Sequence, residues 1–268
     1  MSQGQNAYET VRIARGNKRP TGSEVIRGVF TDFFELHGDR RFGDDGAIVG
    51  GVARLGESPV TVVAIDKGRS AKERMQRSFG APQPEGYRKA LRLMKQSEKF
   101  HRPVICLVDT SGAYCGVGAE ERGQAQAIAE NLLEMMTLRT QVISVIVGEG
   151  GSGGALALAV ADRVWMLENA VYSVISPEGC ASILWKDAAK APEAAEQLKL
   201  TAADSLENGL IERIIPETDL GKEGFYAMLR EEFQKEFSAL RALSMDELLE
   251  RRYQRFRRIG APAAEERP

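Results

Sequence analysis

Apolar runs of strand length alternate with amphipathic stretches along most of the chain. PVICLVDT, QVISVIV and RVWML are short, strongly apolar and rich in β-branched residues, which is typical of buried strands. EGYRKALRLMKQSEKF instead repeats apolar residues at helical spacing. AIVGGVARL and PVTVVAI, separated by GES, predict a β-hairpin. Strands that alternate with helices predict the α/β class.

The two ends of the chain predict helical extensions. Residues 23–38, SEVIRGVFTDFFELHG, place their apolar side chains on one helical face: Val25, Ile26, Val29, Phe33 and Phe34. Residues 222–258 predict a long charged helix, and the final APAAEERP predicts a disordered end. No linker rich in Gly, Ser or Pro divides the core. We therefore expect an N-terminal helical arm (1–45), one core (46–217), and a C-terminal helical extension with a disordered end (218–268).

Two glycine-rich segments follow predicted strands. GEGGSGG comes directly after QVISVIV and before the apolar run ALALAVA, so we expect a loop of bare backbone between a strand and a helix. SGAYCGVGAEERG follows PVICLVDT in the same way. Two such segments after two strands favour convergence on one cleft.

The segment GEGGSGG fits three known glycine motifs only in part. Gly148, Gly150 and Gly153 match GxGxxG, but Glu168 comes 15 residues after Gly153, which is early for a ribose-binding acid. A dinucleotide-dependent oxidoreductase therefore stays an alternative. Gly150, Ser152 and Gly154 match the GxSxG nucleophile elbow, yet both histidines precede Ser152, so no later histidine completes a triad. A P-loop is excluded because Ala155 stands where lysine is needed.

A fourth interpretation uses only the glycine backbone. Free N–H groups at a helix start can converge on an oxygen that is, or becomes, negatively charged. Tight packing of a helix on the sheet would explain the same glycines, and the residues alone leave both explanations open.

Charge and composition add few candidates. The formal net charge is −2, which gives no general attraction to nucleic acid or to an anionic membrane. Three cysteines lack the CxxC spacing of a zinc site, and no segment resembles a signal peptide or a membrane span, so we expect a cytoplasmic protein without its own metal. His37 and His101 are expected to have structural roles, while Lys67 and Arg69 could attract phosphate groups.

Several long motifs resemble one family. HGDR, DKGR, PEGYRKALRLM, DTSGAYCGVGAEERGQ, GEGGSGGALALAVAD and YSVISPEGCASILWK resemble the α subunits of bacterial acetyl-CoA carboxylase carboxyltransferases. The resemblance runs from about residue 24 to residue 217. The family's usual DTPGAYPG has prolines where this chain has Ser111 and Cys115.

The resemblance implies a crotonase-like (ClpP/crotonase) fold of repeated ββα units. It also implies transfer of a carboxyl group from carboxybiotin, held by the biotin carboxyl carrier protein, to acetyl-CoA, which gives malonyl-CoA for fatty acid synthesis. The implied partners are a zinc-ribbon β subunit, the carrier protein and biotin carboxylase, in an α2β2 heterotetramer. The zinc would then belong to the β subunit.

The resemblance also suggests the site residues. Gly153 and Gly154 match the family's oxyanion-binding glycines, and Gly112 and Ala113 are weaker candidates to complete the pocket. The ureido nitrogen of biotin could itself remove the acetyl proton. Whether the pocket would serve the biotin or the thioester oxygen is left open. A stand-alone crotonase-type hydratase or isomerase is a second alternative, but it would need its own acid/base carboxylates.

Overall fold

The computed structural model describes residues 6–260. Its strands are β1 Thr31–Glu35, β2 Ile48–Leu55, β3 Ser58–Ile65, β4 Val104–Thr110, β5 Val142–Gly151, β6 Arg163–Leu167, β7 Val171–Ser173 and β8 Arg213–Ile215. Its helices are α1 Ala7–Ala14, α2 Gly22–Val29, α3 Ala71–Gln76, α4 Pro84–Lys99, α5 Val117–Glu121, α6 Gln124–Thr137, α7 Ser152–Leu156, α8 Pro177–Trp185, α9 Ala191–Leu198, α10 Ala202–Glu207, α11 Glu223–Arg241 and α12 Met245–Arg257.

One mixed sheet forms the centre of the fold. Its strand order is β1-β2-β3-β4-β5-β6-β8, and β7 pairs with the carboxyl end of β5. The strands β1, β2 and β3 are antiparallel, which confirms the predicted hairpin, whereas β3 to β6 and β8 run parallel. Every residue of β4 is buried, as expected for a parallel strand covered on both faces. The α/β class is confirmed.

The helix predicted over residues 23–38 is wrong in its second half. Helix α2 begins at a capping box made by Thr21 and Glu24 and ends at Val29. Phe33 and Phe34 instead lie in β1, which pairs with β2 along the edge of the sheet. The open edge of β2 provides backbone partners, and this tertiary pairing outweighs the helical spacing of the side chains.

The predicted loop between QVISVIV and its helix is also wrong. Strand β5 continues through the glycines to Gly151, because β4 and β7 supply hydrogen-bond partners beside Gly150 and Gly151. The helix then begins at Ser152 and ends at Leu156, so it is five residues long. Gly153 and Gly154 therefore lie in the first turn of a short helix.

The C-terminal part packs on the core as two helices. The predicted single helix over 222–258 is interrupted by residues 242–244, between α11 and α12. Phe233 of α11 stacks on Trp165 of β6 with ring centroids 5.3 Å apart. The predicted disordered end, 261–268, lies outside the described residues, and the domain boundaries stay a prediction. Between residues 6 and 260, no helix is long and apolar enough to cross a membrane.

Candidate functional site

The two glycine-rich segments meet at one edge of the sheet. Strands β4 and β5 are parallel neighbours, so the segments that follow them leave the sheet side by side. A Cβ atom added at Gly154 would lie 2.6 Å from the backbone nitrogen of Ala113, and one at Gly151 would overlap the carbonyl of Ser111. Glycine is therefore required at both positions for the segments to approach this closely. The structure thus brings the two glycine-rich segments into direct contact.

The backbone N–H groups of Ala113, Gly153 and Gly154 at this junction have no hydrogen-bond partner within residues 6–260. Two of them belong to the first turn of α7, which lacks a side-chain cap. The N–H of Gly112 is bonded to the Thr110 hydroxyl at 3.0 Å, so Ala113 is the better donor of that pair. Donors from both segments are thus available at one place.

Ser152 does not form a nucleophilic pair. It is exposed and adopts a left-handed backbone (φ 53°) at the point where β5 turns into α7. His37 instead contacts Asp44 at 2.9 Å, and His101 lies in a turn before β4. No hydrogen bond joins Ser152 to either histidine in the described part of the chain, which agrees with the exclusion made from chain order.

The GxGxxG glycines do not form a phosphate-binding loop. Gly148 and Gly150 lie within β5, where an added Cβ would meet the Asp109 carboxylate and the Tyr172 ring respectively. The absence of a side chain at these two glycines leaves room for the Asp109 and Tyr172 side chains. The glycines therefore do not form a loop that could surround a pyrophosphate. Glu168 accepts a hydrogen bond from the backbone of Glu217 at 3.3 Å. The geometry therefore gives the dinucleotide alternative no support.

A cluster of partly buried charges, which sequence reasoning missed, joins the strand ends from which the two segments begin. The Lys67 ammonium lies 2.8 Å from Asp109 on β4 and 2.7 Å from Glu149 on β5. Arg15 contacts Glu149 at 2.8 Å from the N-terminal side. Lys67 is therefore committed to these acids and is not free to attract phosphate. Its partners lie far away in sequence, so only the DKGR motif marked it as unusual.

The charge cluster also fixes the ionisation of Glu149. Burial raises the pKa of Glu149, but contacts with Lys67 and Arg15 outweigh burial and lower the pKa below its usual value. A general acid needs the opposite shift. Asp109 and Glu149 are the acids nearest in sequence to the ends of β4 and β5, and both are ion-paired, so they do not supply the acid/base pair of a hydratase.

Tyr87 also lies at this junction, although the sequence pattern marked it only as one of the apolar positions of EGYRKALRLMKQSEKF. Its hydroxyl lies 2.9 Å from the position of a Cβ added at Gly154, beside the backbone of Gly112 and Ala113. It is buried and has no hydrogen-bond partner among the described residues. Burial, with a further contribution from the Asp45 carboxylate, raises the pKa of Tyr87 well above its usual value. The hydroxyl thus stays neutral behind the junction of the two segments.

Arg69, the other candidate for attracting phosphate, also has partners within the chain. Arg69 pairs with Glu24 and donates to the carbonyl oxygen of Arg19 at 3.1 Å. No group of three or more His, Cys, Asp or Glu side chains placed to hold a metal ion occurs between residues 6 and 260.

Comparison with known proteins identifies the family. The model of the acetyl co-enzyme A carboxylase carboxyltransferase-like family matches residues 3–260, a wider range than the motifs alone covered. The chain belongs to this family. It is 57% identical over 263 residues to the acetyl-coenzyme A carboxylase carboxyl transferase subunit alpha of Clostridium acetobutylicum, covering 97% of this chain and 96% of the relative. The corresponding protein of Ruminiclostridium cellulolyticum is 56% identical over 255 residues, covering 95% of this chain and 98% of that protein. Family membership confirms the prediction of a carboxyl-transferring enzyme.

Solved structures of other carboxyl-handling enzymes share the fold. A malonate decarboxylase hetero-tetramer from Pseudomonas, in complex with coenzyme A, aligns with a TM-score of 0.69 at 18% identity and covers 89% of this chain and 98% of that chain. Transcarboxylase 12S aligns with a TM-score of 0.67 at 18% identity and covers 98% of this chain and 47% of that chain. At this identity the likeness concerns the fold alone, and it confirms the predicted crotonase-like fold.

Proposed function

We propose that this chain is the α half of a biotin-dependent acetyl-CoA carboxyltransferase, and that its Ala113, Gly153 and Gly154 N–H groups form the oxyanion pocket. The carboxyl group moves from carboxybiotin, on the biotin carboxyl carrier protein, to acetyl-CoA, and the product is malonyl-CoA. The observation that carries the proposal is the convergence of unpaired backbone donors from two segments in a member of this family.

The reaction needs such donors at two points. Cleavage of the N–C bond of carboxybiotin releases CO2 and leaves the electron pair on the ureido group, whose oxygen becomes negative. The ureido nitrogen then takes a proton from the acetyl methyl group, and the resulting enolate carbon bonds to CO2. Fixed N–H donors stabilise either negative oxygen, because they need no reorientation as the charge develops.

The proposed mechanism assigns the base to biotin, and the charges around the pocket support this. Glu149 is held ionised and paired by Lys67 and Arg15, and the Tyr87 hydroxyl is buried and neutral. Neither group is suited to remove a proton from carbon. In this mechanism, this chain binds the reactants and stabilises the negative charge that develops on the ureido or enolate oxygen.

Partners complete the proposed enzyme. Relatives of this chain are named as α subunits, and the decarboxylase of the same fold is a hetero-tetramer. We propose a zinc-ribbon β subunit, the biotin carrier and biotin carboxylase as partners, an α2β2 carboxyltransferase, and a cytoplasmic location. Formation of malonyl-CoA should then require the added β subunit.

A pair of substitutions at Gly153 tests the backbone pocket. A Cβ at this position meets only Ile128, at 3.6 Å, so Gly153→Ala adds a methyl group without a clash and keeps the N–H. Gly153→Pro removes the N–H. We expect Gly153→Pro to lower malonyl-CoA formation by about 10²- to 10³-fold, the loss known for one oxyanion donor, and Gly153→Ala to keep most activity. The assay contains the β subunit and carboxylated carrier.

Two controls make this test decisive. Binding of each variant to the β subunit shows whether assembly is intact, and Ser152→Ala should be nearly silent because Ser152 has no base beside it. If Ser152→Ala abolishes activity while Gly153→Pro retains it, a side-chain mechanism replaces the backbone pocket. Gly154→Ala is not a mild control, since its methyl group would press on the Ala113 backbone.

A further inference from the structure

A basic cleft lies between the loop of residues 36–45 and helices α4 and α6, apart from the proposed oxyanion pocket. Five basic side chains line it: Arg40, Arg41, Arg88, Arg92 and Lys95. Three acids, Asp39, Glu130 and Glu134, line it as well, so the cleft carries an excess of positive charge. The question is which of these charges are already compensated.

Three of the basic side chains have acidic partners. Arg88 contacts Asp39 at 2.7 Å, and Lys95 contacts Glu134 at 2.5 Å. Arg41 lies 3.7 Å from Glu130. The three lining acids are thus matched by three cations, and the excess charge belongs to the remaining two arginines.

Arg40 and Arg92 have no ion-pair partner among the described residues. Arg40 donates to the carbonyl oxygen of His37 at 2.8 Å, and Arg92 donates to the same oxygen at 3.3 Å and to that of Gly38 at 3.0 Å. Two guanidinium groups therefore share one neutral acceptor. Burial, and then the nearby charge of Arg40, lower the pKa of Arg92. Most of their N–H donors remain available.

The other acids near these two arginines are already satisfied. Asp39 binds Arg88 and accepts from the backbone N–H groups of residues 41–43. Asp44 binds Lys89, His37 and the backbone N–H of Gly38. Neither carboxylate can turn to the two arginines without losing these bonds, so the nearby acids of the described residues leave the charge of Arg40 and Arg92 uncompensated.

We propose that Arg40 and Arg92 bind a phosphate group in this cleft. A phosphate dianion matches the excess charge, and its oxygens can accept hydrogen bonds from both guanidinium groups at once. The phosphate could belong to coenzyme A or be a free phosphate ion, and the chemistry of recognition is the same for both. Only the coenzyme A case rests on the proposed function.

Calorimetric titration of the full chain with inorganic phosphate, coenzyme A and pantetheine tests the site. We expect saturable phosphate binding that Arg40→Gln and Arg92→Gln each weaken by about tenfold or more, the loss typical of a charge-assisted hydrogen bond. Arg54→Gln removes the same charge from an exposed arginine on β2 and should leave binding unchanged. Thermal melting verifies that each variant is folded, and Arg92→Lys should retain part of the affinity.

The coenzyme A arms identify the source of the phosphate. Weaker binding of coenzyme A to Arg92→Gln, with unchanged binding of pantetheine, assigns the site to the nucleotide end of coenzyme A. Weaker binding of phosphate alone assigns it to the free ion. The proposal is overturned if neither phosphate nor coenzyme A binds saturably, or if Arg54→Gln has the same effect as the cleft variants. The phosphate arm measures no carboxyl transfer, so its result is independent of the proposed function.

Discussion

At the scale of single residues, the Tyr87 hydroxyl is buried and has no hydrogen-bond partner between residues 6 and 260. A polar atom in this state costs stability, and phenylalanine would fill the same space without that cost. The hydroxyl lies at the junction of the two glycine segments, 2.9 Å from the position of a Cβ added at Gly154.

Replacing this hydroxyl should stabilise the fold. We expect Tyr87→Phe to raise the free energy of unfolding by about 1 kcal/mol, measured by urea denaturation with an unchanged slope. Tyr87→Ala, which also removes the ring, should lower it by about 3–5 kcal/mol. A clear loss of stability in Tyr87→Phe would mean that the hydroxyl has a hydrogen bond that the described residues do not contain.

The residues of the proposed pocket could be selected from the sequence, whereas the residues that support them could not. The glycine-rich composition of two short segments is enough to select Gly153, Gly154 and Ala113 as candidates. Lys67 bonds to Glu149, which is 82 residues away, and Tyr87 approaches Gly154 from another element. Such contacts depend on the order of strands in the sheet, which no local pattern contains.

At the scale of elements, the loop between β1 and β2 is organised by Asp39. Burial raises the pKa of this carboxylate, but three backbone N–H donors and Arg88 outweigh burial and lower the pKa to about 2. The side chain therefore acts as an ionised cap that orders residues 41–43 and holds the loop against α4.

This ionised cap predicts the response of the fold to acid. A depressed pKa gives stability that is complete above the unfolded value, about 4, and is lost as the pH falls towards 2. Asp39→Asn should therefore lower the melting temperature at pH 7 and flatten the loss of stability between about pH 4 and pH 2. Melting curves across this range give the comparison. Glu57→Gln, at the exposed turn between β2 and β3, is the control, and a matching change in that variant would contradict the role of Asp39.

Element prediction succeeded where local chemistry decides the structure. The β2–β3 hairpin and helix α4 both follow from short patterns, and the structure has them. It failed at β1 and at the glycine end of β5, where strand partners from elsewhere in the chain impose an extended backbone. The five-residue helix α7 is a consequence of that extension.

At the scale of the whole molecule, the C-terminal helices complete the core. Phe225, Leu229, Phe233 and Phe237 of α11 are buried, so this charged-looking segment has one continuous apolar face. Helix α12 is attached by Arg252, which is fully buried and pairs with Asp162 at 2.8 Å. The spacing of its apolar residues is enough to predict that α11 packs on the core. The buried Arg252, in contrast, cannot be distinguished in the sequence RRYQRFRR from its exposed neighbours.

Removing this anchor should destabilise the whole fold. Arg252 also donates to the carbonyl oxygens of Met135, Leu138 and Thr140, so Arg252→Ala removes one buried donor from each of those oxygens and leaves the Asp162 carboxylate without its paired cation. Breaking a buried pair in this way costs about 3–5 kcal/mol. Arg251→Ala is the matched control, because Arg251 is exposed and makes only a surface pair with Glu247, so it should change stability by less than about 0.5 kcal/mol. Urea denaturation of both variants makes the comparison. Equal effects of the two would contradict the anchoring role of Arg252, whereas a large loss in Arg252→Ala alone would support it.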